Sequence, residues 1–577
     1  MTAHAYCRHT RVTSSSFAIA FATLRFFPCH RSDLCLAVLK RHHAFQFFGA
    51  FDLQVLHGSV KAHGYDFEAA AYNEKKFIPI CAPYMLGPPI TVFSTPSEDA
   101  INFGRLKWRI QEVSNAAAAI LEIIRIGDAV LLLRFLASKA ALCARNLHDV
   151  ILFIPSSGDS LMLDSLCCVL RTQWNVCINS TDQSFVAVID YLQKRRCRNI
   201  TTVVMLTGGK GVGKSTSARY IANSLLLKTH APIYFLDADV GQSEANPPGC
   251  VSLFCIESPM LGVPFCNQRG TFTNSFFFGD ISPSGNLELY FRLVVKLYEQ
   301  FIAMSFPGSV LIVNTAGWVE DDGAKLLDRL IAKMEPDCLF NIVSKEEPNY
   351  QGDGIKELQE NERAFVINHA VNFIPRPSKS LPFTLTAAAL RNLLTMGYIA
   401  PLCPTPSLGS LNKAAPYAVP FSRISIYVNP GLDFVPETHL LALLNCSLVA
   451  LCSVRWENDE VKGKQHILND ETMPGMIEGD SVVLRCVGFG VIRAIDLDER
   501  LFYVLTPVAD QVLNEVNVFA KGANIDIPSA FLVQRASREA PYVVNCRGGP
   551  SNEMYSELAL ISCYKRTKFS RKPTFLD

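Results

Sequence analysis

The chain has 577 residues, too many for one hydrophobic core, so length alone implies two to four domains. Lys plus Arg number 54 against 53 Asp plus Glu, a formal charge of +1, which excludes a chain-wide field for nucleic acid and leaves only local basic grooves. The 49% apolar share lets most of the chain form cores, yet the longest near-apolar stretch, Ile123–Leu142, is broken by Arg125, Asp128, Arg134 and Lys139, so no transmembrane helix is expected.

Residues 1–50 read as an extension, either disordered or a targeting segment: Arg8, Arg11, Arg25 and Arg31 and an apolar run over Phe17–Leu24 precede the first acid, Asp33. The 19 cysteines show no zinc-knuckle spacing, and Cys167 and Cys168 are adjacent, which suggests buried thiols in a reducing compartment. From Phe51 to about residue 195 short apolar pieces (Val55–Leu56, Val60, Phe77–Cys81, Ile90–Phe93) alternate with turns at Gly58, Gly64, Pro83 and Pro88–Pro89, the pattern of a small β-rich domain. Ala116–Ile126 and Ala129–Leu142 are expected to be helical, with Gly127–Asp128 a break or a tolerated interruption. The region closes on the basic cluster Lys194, Arg195, Arg196 and Arg198.

Residues 196–400 have a clearer grammar. Thr202–Leu206 reads as a buried strand, a glycine-rich turn follows, and Ala218, Ile221, Ala222 and Leu225 recur at helical spacing. Ile233–Leu236, ending in Asp237, and Val310–Val313, ending in Asn314–Thr315, are two further strands. Strand, loop, helix, strand is the order of a parallel sheet, whose ligands sit at the carboxyl ends of the strands. Lys345–Glu362 is expected to be an exposed insertion and residues 401–420 a linker. Residues 421–577 read as a second β-rich domain, with strands at Val482–Cys486, Gly490–Ile495 and Leu501–Leu505 and a basic tail from Lys565 to Lys572. The expected fold class is α/β: a central P-loop NTPase parallel sheet flanked by N-terminal and C-terminal β-rich domains.

Gly208-Gly209-Lys210-Gly211-Val212-Gly213-Lys214-Ser215 satisfies the Walker A spacing between a strand and a helix. The glycines let backbone N–H groups turn toward a phosphate, and the helix N-terminus adds partial positive charge. Lys214 suits the β- and γ-phosphates and Ser215 suits Mg²⁺. Lys210 either adds a second charge over the phosphates or faces solvent. Asp237 and Asp239, two apart, point the same way if the chain stays extended; either could hold Mg²⁺ or accept a hydroxyl proton, or cap the strand end. Gln242 suits the orientation of a nucleophile. Trp318 offers a stacking surface or a core tryptophan. No NKxD element fixes guanine, so ATP is the expected nucleotide, with other triphosphates open.

The central block resembles the RNA 5′-hydroxyl kinase family that includes the Grc3/Nol9 proteins and Clp1, and is nearer the Grc3/Nol9 branch. The resemblance is carried by GGKGVGKST at Gly208–Thr216, YFLDADVGQSEANPPGCVSL at Tyr234–Leu253, SPMLGVPF at Ser258–Phe265, FFGDISPS at Phe277–Ser284 and VNTAGW at Val313–Trp318. LHGSVKAHGY at Leu56–Tyr65 looks like the family's N-terminal β-domain; PYAVPF at Pro416–Phe421, ALLNCSLVALC at Ala442–Cys452 and GFGVIRAIDLDERLFYVLTPV at Gly488–Val508 look like its C-terminal domain.

The resemblance implies transfer of the γ-phosphate of ATP to a 5′-hydroxyl of RNA, with Mg²⁺, in nucleolar processing of a ribosomal spacer alongside an endonuclease-containing complex. It implies Lys214, Asp239, Asp237, Gln242 and a lid arginine, for which Arg391 in LRNLLTMGY is the candidate, as catalytic residues. Gly208 to Thr216 would bind the nucleotide, Ser215 and Asp239 the metal, and Thr315 and Trp318 the substrate. The cluster from Lys194 to Arg198 could wall the RNA path or be a solvated charge run. The alternatives are a silent ATP-binding scaffold of an RNA-processing complex, or a P-loop ATPase that needs no RNA.

Overall fold

The computed structural model of the chain describes residues 20–21, 23–69, 76–83, 86, 89–95, 101–135, 138–145, 161–163, 168–171, 182–226, 231–360, 364–371, 385–405, 408–432, 435, 439–454, 465–466, 473–479, 482–528 and 531. Contacts divide the chain into two units: Met1–Phe235, Cys255–Asn267 and Met304–Thr386 form the first, and Leu236–Phe254, Gln268–Ala303 and Ala387–Asp577 the second. Arg8 and Arg11 of the basic N-terminal run, Cys167 and the basic tail lie outside the described residues.

The first unit begins with an antiparallel sheet built around one long strand, Ala44–His57. Its first half pairs with Ile90–Ser94 and Cys168–Arg171, its second half with Ala129–Phe135, and Ile78–Ala82 pairs across the middle. Gly49, with φ of +127°, sits where the partners change, a conformation that glycine alone adopts readily. The strands Leu24–Pro28 and Leu34–Leu39 extend this sheet, so residues 24–50, expected to be an extension, belong to its core.

Both faces of the inner strands are covered. Cys35, Ala37, Leu39, Ala129, Leu131 and Leu133 enter one core. The alternate residues Leu36, Val38, Val130 and Leu132 enter another, under the helices Phe103–Gln111 and Ala117–Ile123. That burial corrects the helix expected over Ala129–Leu142. A strand buried on both faces is apolar throughout and shows no alternation. Ala129–Phe135 is strand, and Lys139–Arg145 is a separate helix. Gly127–Asp128 is a true break: Asp128 accepts from Lys40 Nζ at 2.7 Å and from the backbone N–H groups of Arg41 and Arg125 at 2.9 Å.

The same unit carries a parallel sheet in the order Phe365–Val371, Cys338–Ser344, Thr202–Thr207, Val310–Asn314, Ile233–Asp237. Thr207, at the end of its strand, stands in register with Asn341 and Asn368 of the neighbouring strands; Thr207 Oγ1 donates to Asn341 Oδ1 at 2.9 Å and Asn341 Nδ2 to Asn368 Oδ1 at 3.0 Å. The segment after Cys338–Ser344 is not an exposed insertion. Tyr350 is buried with its hydroxyl on Asp328, and the helix Asp353–Glu360 buries Ile355 and Leu358.

A hairpin turn of the antiparallel sheet docks on the helix that follows the parallel sheet's first strand. A Cβ on Gly64 would lie 2.5 Å from the Tyr220 carbonyl oxygen of the helix Lys214–Leu225, and one on Gly58 would lie 2.6 Å from the Asp128 carbonyl oxygen. Asn223 Nδ2 donates to the His63 and Met260 carbonyls at 3.0 and 3.1 Å, clamping the turn to the helix. His63 is half-buried, but its Nε2 is shut from solvent. Burial and the neighbouring Arg219 charge push its pKa down to about 3, against a hydrogen bond with the Thr216 backbone.

The basic cluster is partly structural. Arg196 is buried and its guanidinium donates to the Leu225 and Ala231 carbonyls at 3.0 and 2.6 Å. Arg195 pairs with Asp337 at 2.5 Å, whose other oxygen accepts from Val203 N at 2.8 Å. Lys194 and Arg198 are exposed.

In the second unit the order is Cys250–Cys255, Asn274–Phe277, Leu484–Asp496, Leu448–Ser453, Val518–Lys521, Ser425–Val428, Gly475–Ile477, Gln465–His466. Leu484–Asp496 is one strand of 13 residues where two were expected. The expected linker is packed as well: Cys403 and Leu411 are fully buried, and Tyr417–Pro420 pairs with Leu501–Leu505.

Two outcomes follow from these contacts. Arg196→Ala strands two buried carbonyls and should cost about 2–4 kcal/mol in denaturant unfolding, whereas Lys194→Ala should stay within about 0.5 kcal/mol. Unchanged stability with weakened RNA binding in the Arg196 variant would contradict the structural assignment. His63 is neutral when folded and titrates at its ordinary 6.5 when unfolded, so below that pH the unfolded chain binds more protons. Its contribution is complete above pH 6.5 and is lost toward pH 3, about 1.4 kcal/mol of it by pH 5.5. His63→Gln should therefore show a smaller fall in melting temperature between pH 7.5 and 5.5 than the parent; equal falls would refute the burial of the ring.

Candidate active site

The turn from Thr207 to Lys214 takes its shape from three glycines with positive φ: Gly208 at +142°, Gly211 at +76° and Gly213 at +103°. Gly208 is also hemmed in, since a Cβ would lie 2.7 Å from the Ile342 carbonyl oxygen, and Gly209 abuts the Pro348 carbonyl. At Gly211 and Gly213 no atom lies within 4 Å of a Cβ, so backbone conformation alone demands glycine there. Val212 is buried beneath the loop against Gly208, while Lys210 is exposed at its rim.

Lys214 opens the helix and is buried, its Nζ donating to the Gly208 and Gly209 carbonyls at 2.8 and 2.7 Å. Ser215 follows, half-buried, and its Oγ accepts from Asn314 Nδ2 at 3.2 Å. In the sequence Asn314 marks only the end of a strand, with no motif to single it out. Thr315 is fully buried and its hydroxyl donates to the Leu206 carbonyl at 2.7 Å. It therefore ties two strand ends together and does not present its hydroxyl outward. The next turn presses on the phosphate loop, since a Cβ on Gly317 would lie 2.8 Å from Lys210 Cα. Trp318 is half-buried with its indole against Gly323, which leaves it partly accessible for stacking.

Beside the loop helix the first unit has a cleft of about 770 Å³ including its mouth, lined by His63, Cys81, Phe93, Thr216, Arg219 and Tyr220 among others. Arg219 Nη2 donates to Thr216 Oγ1 at 3.3 Å, so the polar edge of the cleft begins at the residue next to Ser215. No spacing in the sequence pointed to His63 or Arg219, because one lies in a hairpin turn and the other on a distant helix.

In the second unit the two acids of the Asp237–Gln242 stretch have different surroundings. Asp237 is 1% exposed, and its carboxylate accepts from the backbone N–H groups of Glu244 at 2.5 Å and Asp239 at 3.4 Å, which shapes the loop. Asp239 is half-buried, and Oδ1 alone accepts from Gly241 N and Gln242 N, both at 3.0 Å. Among the described residues no bond is made to its Oδ2. Tyr290, fully buried, donates to the Ala238 carbonyl at 2.6 Å and fixes the loop from below. Gln242 is half-buried. Arg391, on the helix Ala387–Ile399, is half-buried; burial lowers its pKa, while the carboxylates of Asp239 and Asp280 oppose that shift.

Among the described residues no helix is long and apolar enough to cross a membrane, and no group of three or more His, Cys, Asp or Glu could hold a metal ion.

Residues 208–373 match the family described as mRNA cleavage and polyadenylation factor CLP1 P-loop, and residues 412–528 the NOL9-like, C-terminal domain. The polynucleotide 5′-hydroxyl-kinase nol-9 of Caenorhabditis elegans is 30% identical over 524 residues, covering 90% of this chain and 93% of that protein. Human polynucleotide 5′-hydroxyl-kinase NOL9 is 29% identical over 441 residues, 68% of this chain and 60% of its own length. Among solved structures, the wild-type Clp1p–Pcf11p complex is alike in fold, with a TM-score of 0.52 at 14% identity over 85% of this chain and 98% of that chain. Identity sustained over most of both chains, with matched P-loop and C-terminal segments, shows that this chain belongs to the NOL9 family of polynucleotide 5′-hydroxyl kinases.

Proposed function

We propose that the chain transfers the γ-phosphate of ATP, or of another nucleoside triphosphate, to the 5′-hydroxyl of RNA, in the nucleolus and on ribosomal spacer RNA. The observation that carries this reading is kinship with 5′-hydroxyl kinases across 90% of the chain. A 5′-hydroxyl end arises from a cleavage that leaves the phosphate on the other fragment, so the natural partner is an endonuclease-containing processing complex.

Each residue has a defined task. The N–H groups of Gly208 to Lys214 donate to the phosphate chain, and Lys214 exchanges two neutral carbonyls for charged phosphate oxygens, a stronger bond. Lys210 reaches over the phosphates from the rim. The cleft beside Thr216 and Arg219 seats the base and ribose. Asp239, held by one oxygen, keeps the other for the proton of the attacking hydroxyl, and Gln242 orients that hydroxyl. Arg391 moves onto charge developing on the transferred phosphoryl. Trp318 stacks on the terminal base, and Thr315 holds the turn that carries it.

Ser215, oriented by Asn314, would offer Mg²⁺ an oxygen donor, as would Asp239 in the second unit, and few protein ligands suit an ion that keeps water and phosphate oxygens. The ion would supply charge to neutralise the β- and γ-phosphates.

With γ-labelled ATP, label should appear on RNA ending in 5′-hydroxyl and not on RNA ending in 5′-phosphate. Lys214→Ala and Asp239→Asn should each lower that rate by about 100-fold or more. Trp318→Ala should raise KM for RNA by roughly 5- to 30-fold with little change for ATP. ATP binding without label transfer would favour a silent scaffold, and phosphate release regardless of RNA end would favour a substrate-independent ATPase.

A further inference from the structure

Cys81 lines the cleft beside the loop helix but has no task in the chemistry above. It is buried on the strand Ile78–Ala82, and its backbone N–H donates to the Leu261 carbonyl at 3.0 Å. Leu261 belongs to the core of the antiparallel sheet, so the segment from Met260 to Cys266 is docked on that sheet. The same segment is held to the loop helix, because Asn223 bonds the Met260 backbone through both its amide atoms. Leu261, Gly262 and Val263 then line the cleft together with Cys81. Just beyond them Cys266 ends the short helix Pro264–Cys266, half-buried, and its Sγ donates to Cys81 Sγ at 3.3 Å.

The room that the two cysteines share is kept by Gly262. A Cβ there would lie 3.3 Å from Cys266 Cβ and 3.5 Å from Cys81 Cβ, close enough that any side chain would press on both. The bond to Cys81, together with burial, holds the Cys266 thiol well above its ordinary range, so it keeps its proton and the Cys81 sulfur is the acceptor. The two sulfurs therefore differ in role: one lines the cleft, and the other supplies a proton to it.

We propose that Cys81 and Cys266 are an oxidation site, at which a peroxide-class oxidant closes a reversible disulfide across the wall of the cleft and weakens nucleotide binding there. The nucleotide part rests on the reading of this cleft as the seat of base and ribose. First the Cys81 sulfur attacks one peroxide oxygen and the O–O bond breaks; the other oxygen leaves as water with the Cys81 proton, and Cys81 becomes a sulfenic acid. The Cys266 sulfur then attacks the Cys81 sulfur, the S–O bond breaks, and the hydroxyl leaves as water with the Cys266 proton. The two thiols lose an electron pair and the peroxide gains it. Shortening 3.3 Å to the about 2 Å of a disulfide moves the sulfurs by about 1 Å. One end of that movement is the strand that carries Cys81, and the other is the segment that carries Leu261 to Val263, so the wall shifts from both sides. A displacement of about 1 Å is enough to spoil a positioned contact. In a reducing compartment such a bond is transient, which makes it a switch.

The test uses the full chain, oxidised by hydrogen peroxide and then reduced by dithiothreitol. Remaining thiols are alkylated, peptides are mapped by mass spectrometry without reduction, and Kd for ATP is measured in each state without RNA. The expected result is a peptide pair joined through Cys81 and Cys266, together with a rise in Kd for ATP of about fivefold or more that dithiothreitol reverses. Cys266→Ser should bind ATP as the reduced parent does and lose both the joined peptides and the response to peroxide; Cys266→Ala serves if the serine variant melts early. No joined pair in the parent, a joined pair with Kd unchanged, or a rise in Kd that survives in Cys266→Ser overturns the proposal. Arg219→Ala binding ATP as tightly as the parent would instead fail the reading of the cleft, and the joined pair with its loss in Cys266→Ser still decides whether the thiols are an oxidation site.

Discussion

The shape of one loop, Gly208 to Lys214, constrains the rest. A loop whose N–H groups converge needs backbone angles closed to most residues, and here three glycines supply them. Such a loop is costly to hold open in isolation, so it is held from outside. The Ile342 and Pro348 carbonyls stand against Gly208 and Gly209, and Gly317 stands against Lys210. The strand that leads into the loop is buried over its whole length and paired on both sides. Lys214 closes the arrangement from within by donating to the loop's own carbonyls. The ammonium is therefore ordered before any phosphate is present, and less entropy is lost when phosphate binds.

The acid loop shows how burial divides the work between like residues. Asp237 and Asp239 are two apart and chemically equivalent in sequence. Asp237 ends a strand inside the structure, where a carboxylate persists only if its oxygens are bonded, and backbone N–H groups bond them. Asp239 stands two residues further out, half-buried, with its bonds confined to one oxygen. The first acid builds the loop; the second keeps an oxygen to which no described residue bonds. Gly241 and Tyr290 then determine where that second acid stands.

What the sequence made legible was whatever repeats locally. The Walker spacing, the strand before it and the helix after it were all readable, because each is specified within a few residues. So were the hairpin turns at Gly58 and Gly64. Four features were not. Ala129–Phe135 and Leu34–Leu39 are buried on both faces, and burial on both faces erases the alternation that marks a strand. Residues 345–360 and 401–420 look polar or proline-rich because their loops are, although Tyr350, Leu358, Cys403 and Leu411 anchor them inside. Arg195 and Arg196 look like a surface charge run, and only the fold reveals the carbonyls and the carboxylate that engage them. Asn314 and His63 are placed by contacts between distant segments, which periodicity does not encode.

The N-terminal β-rich region is accordingly more than an appendage to the phosphate loop. Its turn at His63–Gly64 lies directly on the loop helix, at a distance that no side chain other than hydrogen on residue 64 allows. Asn223, from the helix, bonds the turn and the Met260 backbone on both its donor and its acceptor sides. The ring of His63 lies beside the backbone of Thr216, the residue after Ser215. A displacement of the turn would move Thr216 and Arg219 together with the wall of the cleft they line. Gly64 of the Leu56–Tyr65 motif is thus explained by docking as well as by turning, whereas Gly58 is demanded by the approach of Asp128 within its own sheet.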